Sequence, residues 1–139
     1  MARPRYETQA DLDAELIIAE RIGKHLKSEY IKLPQNSRAD FLFHTEGKPK
    51  AIVEIKKRSN TRNKYETYML GRGKYDALLD WSKKGFNTAL FVQWTDDLAY
   101  VKIPATFTEG VGGRYDRGDP LDRESVVLIG TTLFKSITE

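Results

Sequence analysis

Asp40, Glu54 and Lys56 are the residues whose types and spacing point to chemistry. Glu54 and Lys56 lie in the run AIVEIK (51–56); on a strand they project from one face with Ile52, while Val53 and Ile55 take the other. A carboxylate and an ammonium on a strand bound for a core are costly unless partnered. Asp40 opens the apolar run FLF, with thirteen residues between it and Glu54. An antiparallel hairpin of the two runs brings these carboxylates toward each other, where they repel. A divalent cation relieves that repulsion: hard oxygen donors suit Mg²⁺, which keeps several waters and takes substrate phosphate oxygens as further ligands. Lys56 beside such an ion can orient or activate a water, or neutralise charge that develops in the reaction. The competing reading of the same residues is an edge strand whose charges face water and discourage aggregation.

These groups need elements to hold them. From Glu7 to about Tyr30 the pattern is helical, with Leu12, Leu16, Ala19, Ile22, Gly23, Leu26 and Tyr30 on one broad stripe, Thr8 as a cap and Pro34 as a stop. ADFLF (39–43) and AIVEIK (51–56) read as two strands around the turn-prone HTEGKPK. The polar KRSNTRNK follows, then a helix from Tyr65 to about Lys84, carrying Tyr68, Tyr75, Leu78, Leu79 and Trp81 and stopped by Gly85. TALFVQW and LAYVKIP are strands joined through Thr95, Asp96 and Asp97. TEGVGGRYDRGDPLDRE (108–124) has a loop's composition, SVVLIG (125–130) is a last strand, and TTLFKSI a terminal helical turn. No internal repeat, low-complexity tract or linker divides the chain, so the expectation is a single domain over 1–139.

Asp40 followed by Glu54-Ile55-Lys56, on a hairpin preceded by a helix, resembles the PD-(D/E)xK nuclease superfamily. The resemblance covers residues 7–104 and implies an α/β restriction-endonuclease-like core: a mixed central sheet with flanking helices, in which an N-terminal helix precedes the motif-bearing hairpin. A second acidic-x-Lys, Glu46-Gly47-Lys48, falls in the turn and lacks this context, and Ala39 stands where the superfamily's name has proline. Asp40 and Glu54 are the expected metal ligands; the resemblance adds the carbonyl of Ile55 and a glutamate from the first helix. Glu15 and Glu20 are the candidates for that glutamate. Ile18, Ala19, Ile22, Gly23 and Leu26 share the face of Glu15, whereas Glu20 sits with Lys24 and Lys27, so Glu15 is the choice. Its place before an apolar stripe also resembles the archaeal Holliday-junction resolvases. GGRYDRGDPLDRE and KYETYMLGRGKYDALL resemble segments of small bacteriophage nucleases.

Lys57, Arg58, Arg62 and Lys64 form a basic run with no acidic residue inside it, and Arg72 and Lys74 extend it into the following helix, from which Lys74 can approach the site. Such a run is commonly a solvated loop. Beside a phosphodiester site it becomes a set of phosphate contacts, with Asn60 and Asn63 as neutral additions. Tyr65, Tyr68 and Tyr75 are expected to pack internally, His25 and His44 to lie on the surface, and Gln93 to face the site or to finish a sheet end. A net charge of +3 and a pI of 9.0 favour a polyanionic partner only mildly. The absence of cysteine excludes disulfides and thiolate zinc sites. The N-terminal MARPRYETQADLD lacks the apolar segment of a secretory signal and no run reaches membrane-spanning length, so the default location is the cytoplasm, that of the host if the chain is viral.

The reading is therefore a Mg²⁺-dependent nuclease, with Mn²⁺ as a substitute, that hydrolyses DNA phosphodiester bonds as an endonuclease. Glu15, Asp40, Glu54 and Lys56 form its catalytic set, and a homodimer follows if two strands are cut. The alternatives are a catalytically inactive nucleic-acid-binding module of the same fold, and a structural phage or interaction protein. A divalent-cation site requiring both Asp40 and Glu54 separates the first reading from both.

Overall fold

A computed structural model describes residues 8–113 and 123–137. The first helix, α1 (Gln9–Leu26), starts at a reciprocal cap in which the Thr8 hydroxyl accepts from the Asp11 N–H and the Asp11 carboxylate accepts from the Thr8 N–H, both at 3.1 Å. The periodicity extends the helix to Tyr30, but α1 stops earlier. Lys27 turns into the left-handed region (φ 53°), and the chain returns as strand β1 (Glu29–Lys32). Gly23 makes this tight return possible, because a Cβ there would sit 3.0 Å from the Ser28 carbonyl oxygen. The buried stripe of α1 is Ile18, Ala19, Ile22 and Gly23, while Leu16, expected on it, is 41% exposed.

β1 pairs antiparallel with β2 (Phe41–Thr45), which forms the expected hairpin with β3 (Lys48–Lys57). Glu46 and Gly47 both take positive φ in its turn, a backbone whose twist suits a two-residue hairpin. β3 then pairs in parallel with β5 (Thr88–Gln93), which requires a crossover; that crossover contains β4 (Thr67–Gly71) and the helix α2 (Arg72–Lys83). β6 (Leu98–Ile103) and the short β9 (Lys135–Ser136) complete a mixed sheet of order β1-β2-β3-β5-β6-β9.

A second, three-stranded sheet, in the order β4, β8 (Arg123–Gly130), β7 (Thr108–Gly113), was not expected. Thr67–Gly71 is a strand rather than the start of a helix: Tyr68 and Leu70 are buried, Thr67 and Met69 exposed, the period of two that a strand requires. β7 (Thr108–Gly113) lies where composition indicated a loop. Gly112 allows a close approach there, because a Cβ on it would meet Met69 Sδ at 2.7 Å and Val126 at 2.8 Å. β8 (Arg123–Gly130) includes the expected last strand, whereas residues 114–122 of the expected loop lie outside the described residues. The expected terminal helical turn is confined to Thr131–Leu133, followed by β9.

The central sheet has a core on each face. Ile18, Ala19 and Ile22 of α1 pack on Phe41, Phe43, Val53, Ile55 and Phe91. On the other face, Tyr75 and Leu78 of α2 and Tyr68, Val127 and Ile129 of the second sheet pack on Ile52, Leu90 and Val92. Each fully buried large side chain contributes roughly 1.5–3 kcal/mol. These two layers hold β3 rigid and can tolerate a few unfavourable charges on it. Among the described residues, no helix is long and apolar enough to cross a membrane.

Candidate active site

Asp40 sits one residue before β2, at the point where that strand's pairing with β3 runs out. Its N–H donates to the Val53 carbonyl (3.1 Å), and its Oδ2 accepts from the Ile55 N–H (2.8 Å), so the carboxylate replaces the next rung of the ladder. The N–H and C=O of one residue leave a strand on the same edge. The Ile55 carbonyl therefore points past the start of β2, toward Asp40.

Glu54 follows the alternation onto the α2 face and is 3% exposed. Lys74 Nζ, from the first turns of α2, lies 3.2 Å from Glu54 Oε1, and Lys56 Nζ lies 3.6 Å from Oε2. The Lys74 ammonium also donates to the Arg38 carbonyl (3.2 Å), so it is shared between that carbonyl and Oε1, which it holds chiefly by charge. Burial raises the Glu54 carboxyl to about 7, the negative charge of Asp40 adds to the rise, and the Lys74 and Lys56 ammoniums offset part of it.

Glu15 lines an open cleft of about 450 Å³ together with Ile55, Lys56, Lys57 and Arg58. Its carboxylate is paired with Lys32 Nζ at 2.5 Å, and the same ammonium lies 3.6 Å from Asp40 Oδ1. Glu20 instead accepts from the Tyr30 hydroxyl (2.8 Å) and borders a different groove, with Lys24, Lys27 and His44. Glu15 is thus the helix glutamate beside the motif. Among the described residues, no three His, Cys, Asp or Glu side chains are drawn together as a ready ligand set. Lysines stand against the carboxylates instead. The donor chemistry nevertheless fits a hard divalent cation: two carboxylates, a strand carbonyl, and a buried carboxylate oxygen that accepts no hydrogen bond.

The six basic candidates divide. Lys57 and Lys64 are exposed, and the Arg58 guanidinium lies over the Tyr68 ring, 4.5 Å from its centre. Arg62 is turned into the fold, pairing with Asp97 (2.7 Å) and donating to the carbonyls of Thr131 (2.8 Å) and Phe134. Arg72 is paired with both Asp76 (3.1 Å) and Glu109 (2.6 Å), and Lys74 belongs to Glu54. Gln93 ends β5 as a structural link, accepting from Arg21 (2.7 Å) and donating to the carbonyls of Trp94 and Asp97. Tyr68 and Tyr75 are buried as expected, but Tyr65 is 59% exposed, and His44 is half-buried 3.8 Å from Glu29.

Sequence reasoning misses Lys32, whereas Lys74 approaches the site from its helix as expected. Lys32 is hidden because its strand continues the helical pattern of α1. The β-prone Tyr30-Ile31 ahead of Pro34 is the available signal.

A comparison with curated proteins finds no match. Among solved structures, the chain is similar to Hjc, a Holliday junction resolvase from the archaeal hyperthermophile Archaeoglobus fulgidus. The TM-score is 0.58 at 11% identity, over 90% of this chain and 88% of that one, which establishes a common fold. The resemblance carried by Asp40 and Glu54-Ile55-Lys56 holds at the level of the family as well. The model of the family described as "Phage putative PDDEXK endonuclease" matches residues 1–137, and the chain belongs to that family.

Proposed function

We propose that the chain is a divalent-metal-dependent endonuclease that hydrolyses DNA phosphodiester bonds at Asp40, Glu54 and Lys56. One observation carries the reading. Glu54 is buried beside the like charge of Asp40, and Lys74 and Lys56 offset only part of that cost, so the pair of carboxylates is a placement that a divalent cation relieves. Asp40, Glu54 and the Ile55 carbonyl would hold Mg²⁺ or Mn²⁺, with Glu15 completing the acidic set. When bound, the cation supplies charge that neutralises phosphate oxygens and favours deprotonation of water.

The chain's own residues supply the rest. Lys56, with its side chain 37% exposed, stands on the same strand face as Glu54 and opens to the cleft. There it orients the attacking water and stabilises the negative charge that accumulates on the phosphate. Lys74 keeps Glu54 in place and favours its ionised, ligating form. Lys57, Arg58 and Lys64 would contact neighbouring phosphates. The family supports nuclease activity, and the structural neighbour is by its title a Holliday junction resolvase, which supports DNA as substrate. Cutting two strands calls for two such sites, so the proposal includes a homodimer, working in the host cytoplasm as befits a phage protein.

Incubating labelled linear, nicked and four-way DNA with the protein and Mg²⁺ tests the reading. Cleavage should stop with EDTA, and Asp40→Asn and Glu54→Gln should each reduce it by about a hundredfold or more while leaving the fold intact. Undiminished cleavage in EDTA sinks the mechanism. DNA binding without cleavage in any divalent metal favours the inactive binding module.

A further inference from the structure

We infer that the strand face bearing Glu54 and Lys56 continues into a subsite for one unpaired nucleobase of the substrate strand, built by Arg58, Tyr65 and Tyr68. The subsite deepens the nuclease reading and rests on it only for the identity of the strand that is cut.

Arg58 lies two positions beyond Lys56 on the same side of the chain, and its backbone N–H still donates to the Gln93 carbonyl (2.9 Å), so it extends the motif strand. Beside it is a second cleft of about 400 Å³, lined also by Tyr65, Tyr68, Met69 and Trp94. That lies near the small end of pockets that hold small molecules, about 300–1,000 Å³. A nucleotide fits there and a duplex does not, so a base must leave its stack to enter.

The lining suits a base. The Arg58 guanidinium covers the ring of Tyr68 at 4.5 Å, and its planar group forms a cationic platform of the kind on which bases stack. Tyr65 is 59% exposed, with Lys64 Nζ 5.6 Å from its ring centre, and Met69 is 47% exposed. An aromatic and a thioether left open to water beside the basic Arg58 and Lys64 are unfavourable for a bare surface but match the flat, polarisable, anionically tethered base of a DNA strand. The cleft is also pre-organised. Arg62 ties the segment that leads to Tyr65 to Asp97 and to the Thr131 and Phe134 carbonyls, so little ordering remains to be done on binding. The substrates favoured are therefore strands unpaired next to the scissile bond, such as flaps, frayed ends and opened junctions, over intact duplex.

The test measures binding of a fluorescent single-stranded oligonucleotide, and of its duplex, in EDTA, for the wild-type protein, Tyr65→Ala and Tyr65→Phe. Tyr65→Ala should weaken single-strand binding by about tenfold and duplex binding by less than about twofold, and Tyr65→Phe should retain wild-type affinity for both. Equal losses on the two substrates, or no loss on either, overturn the subsite. The measurement needs no metal and no turnover. Tyr65-dependent single-strand binding in a protein that cuts nothing would uphold the subsite and reject the nuclease, and cleavage without any Tyr65 effect would do the reverse.

Discussion

Glu54 holds its proton up to about pH 7, against an ordinary value of 4.5, chiefly because it is buried. Below about pH 4.5 the carboxyl is protonated in the folded and unfolded chains alike and carries no penalty. Between 4.5 and 7 the unfolded chain releases the proton first, so stability falls as pH rises, and above about 7 the full cost is present, roughly 3 kcal/mol. Urea denaturation in EDTA at pH 5 and pH 8 should show that loss in the wild-type protein, while Glu54→Gln should flatten it. Adding Mg²⁺ at pH 8 should restore stability to the wild-type protein but not to the variant. Parallel pH curves for the two proteins would mean that Glu54 is not the strained group. The pairing of Asp40 with Glu54 was legible in the sequence because a hairpin and a period of two determine which side chains meet. The depth at which Glu54 is buried was not, since it depends on the layer that packs over that face of the sheet.

At the scale of elements, β1 changes the site most. It carries Lys32 between Glu15 and Asp40, at 2.5 Å and 3.6 Å, so an ammonium stands against the two carboxylates that a metal would approach. Lys32→Met should lower the Mg²⁺ needed for half-maximal cleavage, because the competing cation is removed. It should also destabilise the metal-free protein by no more than about 1 kcal/mol, since the pair is partly solvated. Glu15→Gln should raise the Mg²⁺ requirement, and Glu20→Gln, on the separate groove, should change neither quantity. A Mg²⁺ titration of cleavage paired with thermal melts in EDTA checks all three. If Glu20→Gln is the variant that loses activity, the assignment from helix phase fails. Helix α1 and the β2–β3 hairpin were readable from local periodicity and turn chemistry. β1, β4 and β7 were not: each is short, Tyr68 of β4 pairs with the far-off Ile129, and the glycines of β7 give it a loop's composition although Gly112 pairs with Glu124.

For the molecule as a whole, a net charge of +3 is too small to attract DNA by itself, so the proposed affinity for DNA would have to come from where the cations stand. The order of helix, hairpin, helix and strands was visible in the sequence, but the second sheet closing over one face was not, and that sheet decides which cations remain available. Thr131 and Phe134, at the end of that layer, and Asp97 at the sheet's tip capture Arg62, whose side chain is only 22% exposed. Lys57 and Lys64 remain exposed on the motif side. The consequence separates two kinds of basic residue from one sequence run. Arg62→Ala leaves Asp97 and two carbonyls without their donor and should cost about 2–3 kcal/mol in denaturant, with the salt dependence of DNA binding little changed in the fraction that stays folded. The double variant Lys57→Ala/Lys64→Ala should keep full stability. Each lysine that neutralises a phosphate adds about one to the slope of log affinity against log salt, so the double variant should flatten that slope by about two. Urea melts and salt-titrated binding in EDTA measure the two effects independently. An Arg62 variant with unchanged stability and a flattened salt slope would return that residue to the DNA-binding set, and Arg62 would no longer be the clamp that pre-organises the nucleobase cleft.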